Sequence, residues 1–315
     1  MKTRPAIGNS PAFSFLKAAA FFAIYVLWGG TFLARQIALR SVPPFLESSF
    51  RFLAAAAVLM PVAWLRKEPF PTPREIFHQG VVGLFLLLGG TGVVSWSQKM
   101  VPSGIASLFV ASVPMWMVLV DWLWGPSPAP GRRVLGGLAA GFAGIVLLVN
   151  PSGGGGFNPL GGLTLLLASL SWAIGSVYAK RHAPPRSDLY AVSLQMSAGG
   201  FSLILAAYAA GQMEGFSPAS VLPESRLALV YLVFCGSIAG FTAYQWLLRV
   251  TRPAVVATHA YVNPLIAVIL GWVLLGEPLT GRVIASGILI LLSVALIITG
   301  SPEARSQDRE PLEIP

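Results

Sequence analysis

The chain is 315 residues long, 55% hydrophobic and only 10% charged, with a formal net charge of +9. A soluble domain carries about a quarter charged residues, so this composition excludes an ordinary water-soluble fold and points to a chain that crosses a membrane repeatedly. The basic excess does not call for nucleic acid as a partner, because cytoplasmic loops of membrane proteins gather Lys and Arg.

Ten apolar stretches follow one another: residues 15–34, 45–64, 76–97, 104–124, 133–149, 159–179, 188–210, 227–248, 254–275 and 282–299. A span needs about 17–25 such residues. Backbone groups cannot stay unpaired in lipid, and barrel strands would be shorter and alternating, so these are helices. The fold class is all-α membrane protein with ten transmembrane helices, embedded in a lipid bilayer.

Lys2 and Arg4 before the first run resemble a signal peptide. That run is long, lacks a small-residue exit site and leads into more spans, so it reads as an uncleaved first helix. The second span holds Glu47 and Arg51, four residues apart. Glu47 in the first turn suits the helix dipole, and Arg51 lies about 6 Å deeper. A charge inside the membrane is a functional candidate, so the two form a candidate charge pair; the alternative is a pair snorkelling at the outer interface. Asp121, near the inner end of the fourth span, is placed to pair with Arg132 or Arg133. In the fifth, "GGLAAGFAG" offers Gly137 and Gly141 as a small-residue face, for packing within the chain or for a homodimer seam. The glycines of "NPSGGGGFNPLGG" are read as a linker, because no Lys-Ser/Thr follows to make a phosphate loop.

The ninth span contains "HAYVNP", His259 to Pro264. His259 and Asn263 share a helix face. Asn263 lies about 14 Å into its helix, near the midplane of a core about 30 Å thick. Pro264 has no N–H, so a kink is expected. Asn263 is read as cavity-lining and His259 as a substrate or proton contact; interhelical packing is the alternative for both, and an inner gate a further one for His259.

Slid against itself by 150 positions, the chain lays "KMVPSGIASLFVASVP" over "RVTRPAVVATHAYVNP". Pro114 meets Pro264, Gly90 meets Gly240, Trp96 meets Trp246 and Trp122 meets Trp272. Each half has five helices, and an odd number forces the second half in upside down. Two inverted five-helix repeats result, as in secondary transporters, whose sites lie at mid-membrane between the halves. Pro114 and Pro264 are then matching hinge candidates. The expected layout is a cytoplasmic N-terminal segment (1–14), repeat one (15–149), a linker (150–158), repeat two (159–300) and a disordered cytoplasmic tail (301–315). Outer segments hold only Arg35, Arg40, Lys99, Arg226 and Arg282 of the 21 basic residues, which favours both termini in the cytoplasm of a multi-pass cell (inner) membrane protein.

The ordered set "LWGGTF", "FRFLAA", "VPSGIASLFVASVP", "SWAIGSVYAKR" and "AYVNPLIAVILGWVLLGEPLT" resembles the drug/metabolite transporter superfamily in its ten-helix EamA branch, over nearly all of residues 15–299. The resemblance implies an exporter of amino acids, other small metabolites or toxic compounds. One departure is visible: Glu277 of "GEPLT" meets Ser127 in the first half. By inverted symmetry the helices carrying Trp28, Trp96, Trp172 and Tyr244 meet around one cavity. With Ser176, Gln245, His259 and Asn263 they form the expected substrate cavity, suited to a small molecule with an apolar or aromatic part.

No HExxH motif, paired aspartates or Ser-Lys set at membrane depth is present, and Cys235 is the single cysteine, so no enzyme, metal site or cofactor is expected. No nucleotide motif suggests ATP drive; proton coupling through Glu47 or His259 stays open. The alternatives are a facilitator, a sugar-phosphate-type carrier, or a membrane protein that transports nothing. Phosphate carriage would want mid-membrane cations, and the ninth and tenth spans have none.

Overall fold

The computed structural model of the chain describes residues 11–124, 129–149, 158–182, 186–251, 256 and 259–300. Residues 1–10, linker residues 150–157 and the tail 301–315 lie outside them, as do Ser127 and Pro128. Ten helices run through the described residues: α1 (Phe13–Ala38), α2 (Pro44–Leu65), α3 (Pro73–Ser97), α4 (Ser103–Trp124), α5 (Arg132–Val149), α6 (Pro159–His182), α7 (Asp188–Ala209), α8 (Pro223–Tyr244, helical on to Val250), α9 (His259–Leu275) and α10 (Gly281–Gly300). Four of them begin at a proline, where the missing N–H costs nothing.

Large apolar side chains ring the bundle. Phe50, Trp64, Leu65, Phe201, Leu205 and Leu227 each leave more than half their surface outward. In water this would be an aggregating surface; in lipid it is solvent contact. Inside, α2 packs along α7 and α5 along α10, which pairs the corresponding helices of the two repeats. Phe52, Leu87, Met196 and Leu203 fill one core, and Phe109, Met115, Leu165 and Ile290 another. The small-residue face of α5 is covered within the chain: a Cβ at Gly137 would lie 3.0 Å from Ile297, and one at Gly141 would meet Met115 and Ser293.

The two matching prolines behave differently. A turn at Ala111–Ser112 splits α4 into Ser103–Val110 and Val113–Trp124, with Pro114 in the first turn of the second piece. At this turn the carbonyl of Phe109 takes Ser112 N–H at 3.0 Å, Ser112 Oγ at 2.6 Å and Ser169 Oγ of α6 at 3.3 Å. Pro264 is buried inside an unbroken α9. It comes so early in the helix that it removes one bond near the end without dividing the rod. The expected matching breaks are thus present at Pro114 alone.

Widened π-helical turns interrupt α1 at Ala23–Leu27, α3 at Leu84–Gly92 and α8 at Leu232–Gly240. The last two occupy matching places in the two repeats. Such turns release backbone groups from the regular ladder and recur at functional sites.

Candidate substrate site

The site is built where the π turns meet the tryptophans. Trp28, at the end of the α1 π turn, donates its indole N–H to the Gly236 carbonyl of the α8 π turn at 2.8 Å. Its ring lies 5.3 Å from Phe241, 5.4 Å from Tyr244 and 5.5 Å from His259. Tyr244 and His259 meet at 5.6 Å, and Phe241 reaches Trp172 at 6.4 Å. These edge-on and tilted arrangements are the ones aromatic quadrupoles favour. Sequence reasoning had named every member except Phe241, which follows Gly240 and aligns with Thr91 in the other repeat.

Glycines set the approach. A Cβ at Gly90 of α3 would lie 2.9 Å from Trp172 of α6, and one at Gly240 of α8 would strike the Trp28 indole. Each repeat's tryptophan therefore rests on the other repeat's glycine, at positions the 150-residue offset had already paired.

The polar candidates are tied into backbone. With its amide oriented by the acceptors around it, Asn263 Nδ2 donates to Ile24 O at 2.8 Å and Tyr25 O at 3.0 Å. Both carbonyls belong to the π turn of α1, so Asn263 fastens α9 to α1 just below Trp28. His259 Nδ1 donates to Val256 O at 2.9 Å, which leaves Nε2 as the ring's lone pair. Ser176 Oγ donates to Trp172 O at 2.8 Å, within its own helix. Trp96 is half-buried, and no ring contact joins it to the aromatic group among the described residues. The side chain of Gln245 lies outside the described residues.

Beside the aromatic group lies a buried charged cluster. Arg35 had been assigned to an outer loop; α1 continues past it to Ala38, and the side chain is buried, with Nη1 donating to Gln98 Oε1 at 2.9 Å. Its seven-residue spacing from Trp28 was the available signal, since it places both on one face. Gln98 passes its own N–H groups to Phe32 O at 3.0 Å and Gln36 Oε1 at 3.2 Å. Arg51 Nε donates to Ser237 Oγ at 3.0 Å. Glu47 Oε2 accepts from Ser48 Oγ at 2.8 Å and Ser95 Oγ at 2.7 Å. Glu47 and Arg51 share an electrostatic field, but no salt bridge joins them among the described residues.

The other charges sit at the helix ends. Lys99 Nζ donates to Leu39 O at 3.0 Å, at the close of α1. Asp121, expected to meet Arg132 or Arg133, takes Arg181 of α6 at 2.7 Å. Glu277 caps the first turn of α4, accepting from Ser103 N at 2.7 Å and Gly104 N at 2.9 Å. Its lack of a repeat counterpart had been visible in the sequence; its partner had not.

The profile of the EamA-like transporter family matches residues 16–150 and again residues 159–299. The chain belongs to the EamA-like transporter family. The double match falls on the two halves that the repeat and the helix pairing define. This EamA-like chain is 37% identical over 283 residues to a protein of Escherichia coli described as an uncharacterised inner membrane transporter, YedA, covering 89% of this chain and 90% of that one. It is 26% identical to the probable amino-acid metabolite efflux pump of Salmonella typhimurium, covering 88% and 93%, and 25% identical to Protein PecM of Dickeya dadantii, covering 95% and 97%. A solved structure covering 90% of this chain and 98% of its own superposes with a TM-score of 0.62 at 23% identity, which bears on the fold alone. The EamA-like chain is a multi-pass membrane transporter.

Proposed function

We propose that this EamA-like transporter exports a small metabolite with an apolar or aromatic part, by alternating access between its two repeats. The observation that carries the reading is the exchange of tryptophans and glycines. Trp28 on Gly240 and Trp172 on Gly90 place one contact of each repeat in the other, with Phe241 touching both rings. A rocking motion that swaps the environments of the halves would loosen one such contact as it tightens the other.

In this reading Trp28, Trp172, Tyr244, Phe241 and His259 line the path, and Asn263 positions α1. Trp96, Ser176 and Gln245 remain lining candidates on the same helices, and Pro114 is the hinge. The repeats occupy residues 15–149 and 159–300, with both termini in the cytoplasm of the inner membrane. Proton coupling would run through His259 or Glu47. The relative named as a probable amino-acid metabolite efflux pump supports the outward direction.

The test is counterflow in proteoliposomes holding the full chain, with and without a pH gradient, using aromatic and aliphatic metabolites. Expected is saturable flux that Trp28→Ala and Trp172→Ala both abolish while folded protein remains. Flux unchanged in both variants would refute the path, and flux indifferent to the gradient would refute proton coupling.

A further inference from the structure

The aromatic group does not account for the charges beside it. Arg35, Glu47 and Arg51 are exposed by only 4%, 0% and 3%. Both guanidiniums stay protonated in a protein interior, so two positive charges face one carboxylate. Arg35 and Arg51 act on each other unfavourably, and Glu47 acts favourably on both. The cluster thus holds a surplus of one positive charge where α1, α2, α3 and α8 meet.

A purely structural network would consume its own hydrogen-bonding groups. This one does not: Arg51 Nη1, Arg35 Nε and Glu47 Oε1 are buried without a hydrogen-bond partner, and the guanidiniums otherwise meet the faces of Phe52 at 4.8 Å and Phe32 at 5.6 Å. Glu47 spends only one oxygen, on Ser48 and Ser95, whose hydroxyls also lie 2.7 Å apart. Leaving such groups bare inside a membrane is costly.

The location points the same way. A Cβ at Gly236 would lie 3.0 Å from Arg51 Nη2 and 2.9 Å from Thr31 Cγ2. The carbonyl of that same glycine holds the Trp28 indole. The free guanidinium edge and the aromatic group therefore share one glycine. Trp28 lies ten residues before the end of α1, about 15 Å in, which is mid-membrane.

We propose that Arg51, backed by Arg35, is the docking point for the carboxylate of a small monocarboxylate whose apolar or aromatic body lies against Trp28. Guanidinium is the side chain best matched to a carboxylate, offering two parallel N–H donors. One negative charge cancels the surplus of one; a dianion overshoots it, and a neutral or cationic ligand leaves it uncompensated. Glu47 sets the charge count and offsets part of the repulsion between the arginines. The proposal names the substrate class of the export path above and rests on that reading for its direction, not for its binding chemistry.

The test uses the purified full chain in detergent. The probes are 3-phenylpropionate, 3-phenylpropanamide, 3-phenylpropylamine and phenylethylphosphonate, with binding read by quenching of tryptophan fluorescence. Expected is binding of the acid, with the amide and amine about tenfold weaker or worse and the phosphonate weaker as its second charge ionises with rising pH. Arg51→Gln should erase the preference for acid over amide, and Arg51→Lys should keep part of it. Arg35→Gln removes the backing charge and leaves Arg51 in place; it should weaken the preference for acid over amide, an undiminished preference there overturns the proposal, and it serves if Arg51→Gln fails to fold. Equal binding of amide and acid, no binding of the acid, or an acid preference that survives Arg51→Gln in folded protein overturns the proposal. Counterflow with the same probes separates the two readings. Acid binding without flux refutes export and leaves the site standing; flux of the amine or amide with no acid binding refutes the site and leaves export standing.

Discussion

Replacing Glu277 by alanine strips two acceptors from the first turn of α4. The carboxylate takes the N–H groups of Ser103 and Gly104 at 2.7 and 2.9 Å, two of the four donors that a helix start leaves without partners. Loss of a capping side chain costs roughly 0.5–2 kcal/mol, and a hydrogen bond to a charged group contributes about 1.5–3 kcal/mol. Glu277 is half-exposed, so solvent screens it and water can replace part of what is lost. We expect Glu277→Ala to cost about 2 kcal/mol at the top of that capping range, and Glu277→Gln, which keeps an acceptor but no charge, about half. The bond also fastens repeat two to repeat one, so its loss should appear as early separation of the halves on heating. The assay is thermal unfolding of detergent-solubilised protein, followed by fluorescence-detected size exclusion. Ser103→Ala is the control, because Ser103 contributes only its backbone N–H, and it should melt like wild type. A Glu277→Ala protein that also melts like wild type would refute the capping role.

Gly240→Ala drives a methyl group into the Trp28 indole; overpacking costs about 1–3 kcal/mol, and flux should fall, while Gly281→Ala, with open space around it, should leave both flux and melting unchanged. Trp28→Phe keeps a ring and drops the bond to Gly236 O, so apparent substrate affinity should weaken by about fivefold, the equivalent of about 1 kcal/mol, in counterflow titrations. Asn263→Asp sets a carboxylate against the carbonyls of Ile24 and Tyr25 and should lower folded yield on size exclusion well below that of Asn263→Ala. Equal yields would show that the amide does not hold the π turn of α1.

Hydropathy and self-alignment made a good part of this molecule legible. Ten apolar runs correspond to ten helices, because the bilayer sets the length of a span and forbids unpaired backbone within it. The register of Gly90 with Gly240 was visible as a fixed offset, and it proved to be the register in which each glycine receives the opposite tryptophan. Trp28, Trp172 and Tyr244 were recognisable as conspicuous side chains on helices expected to meet by inverted symmetry, and His259 as a polar group in an apolar run.

What stayed hidden was partnership. Asp121 turned to Arg181, Glu277 to the start of α4, Asn263 to the π turn of α1, and Arg35 inward to Gln98. The sequence by itself determined the number of spans, their pairing across the repeats and the positions too small or too polar for plain lipid. These are properties of single helices and of a repeat measured along the chain. Only the tertiary structure decided which carbonyl each π turn releases and which side chain takes it, and that Arg35 and Arg51 are buried together with Glu47. A polar group's partner depends on where helices cross, and crossing points are set by side-chain packing between segments far apart in the chain.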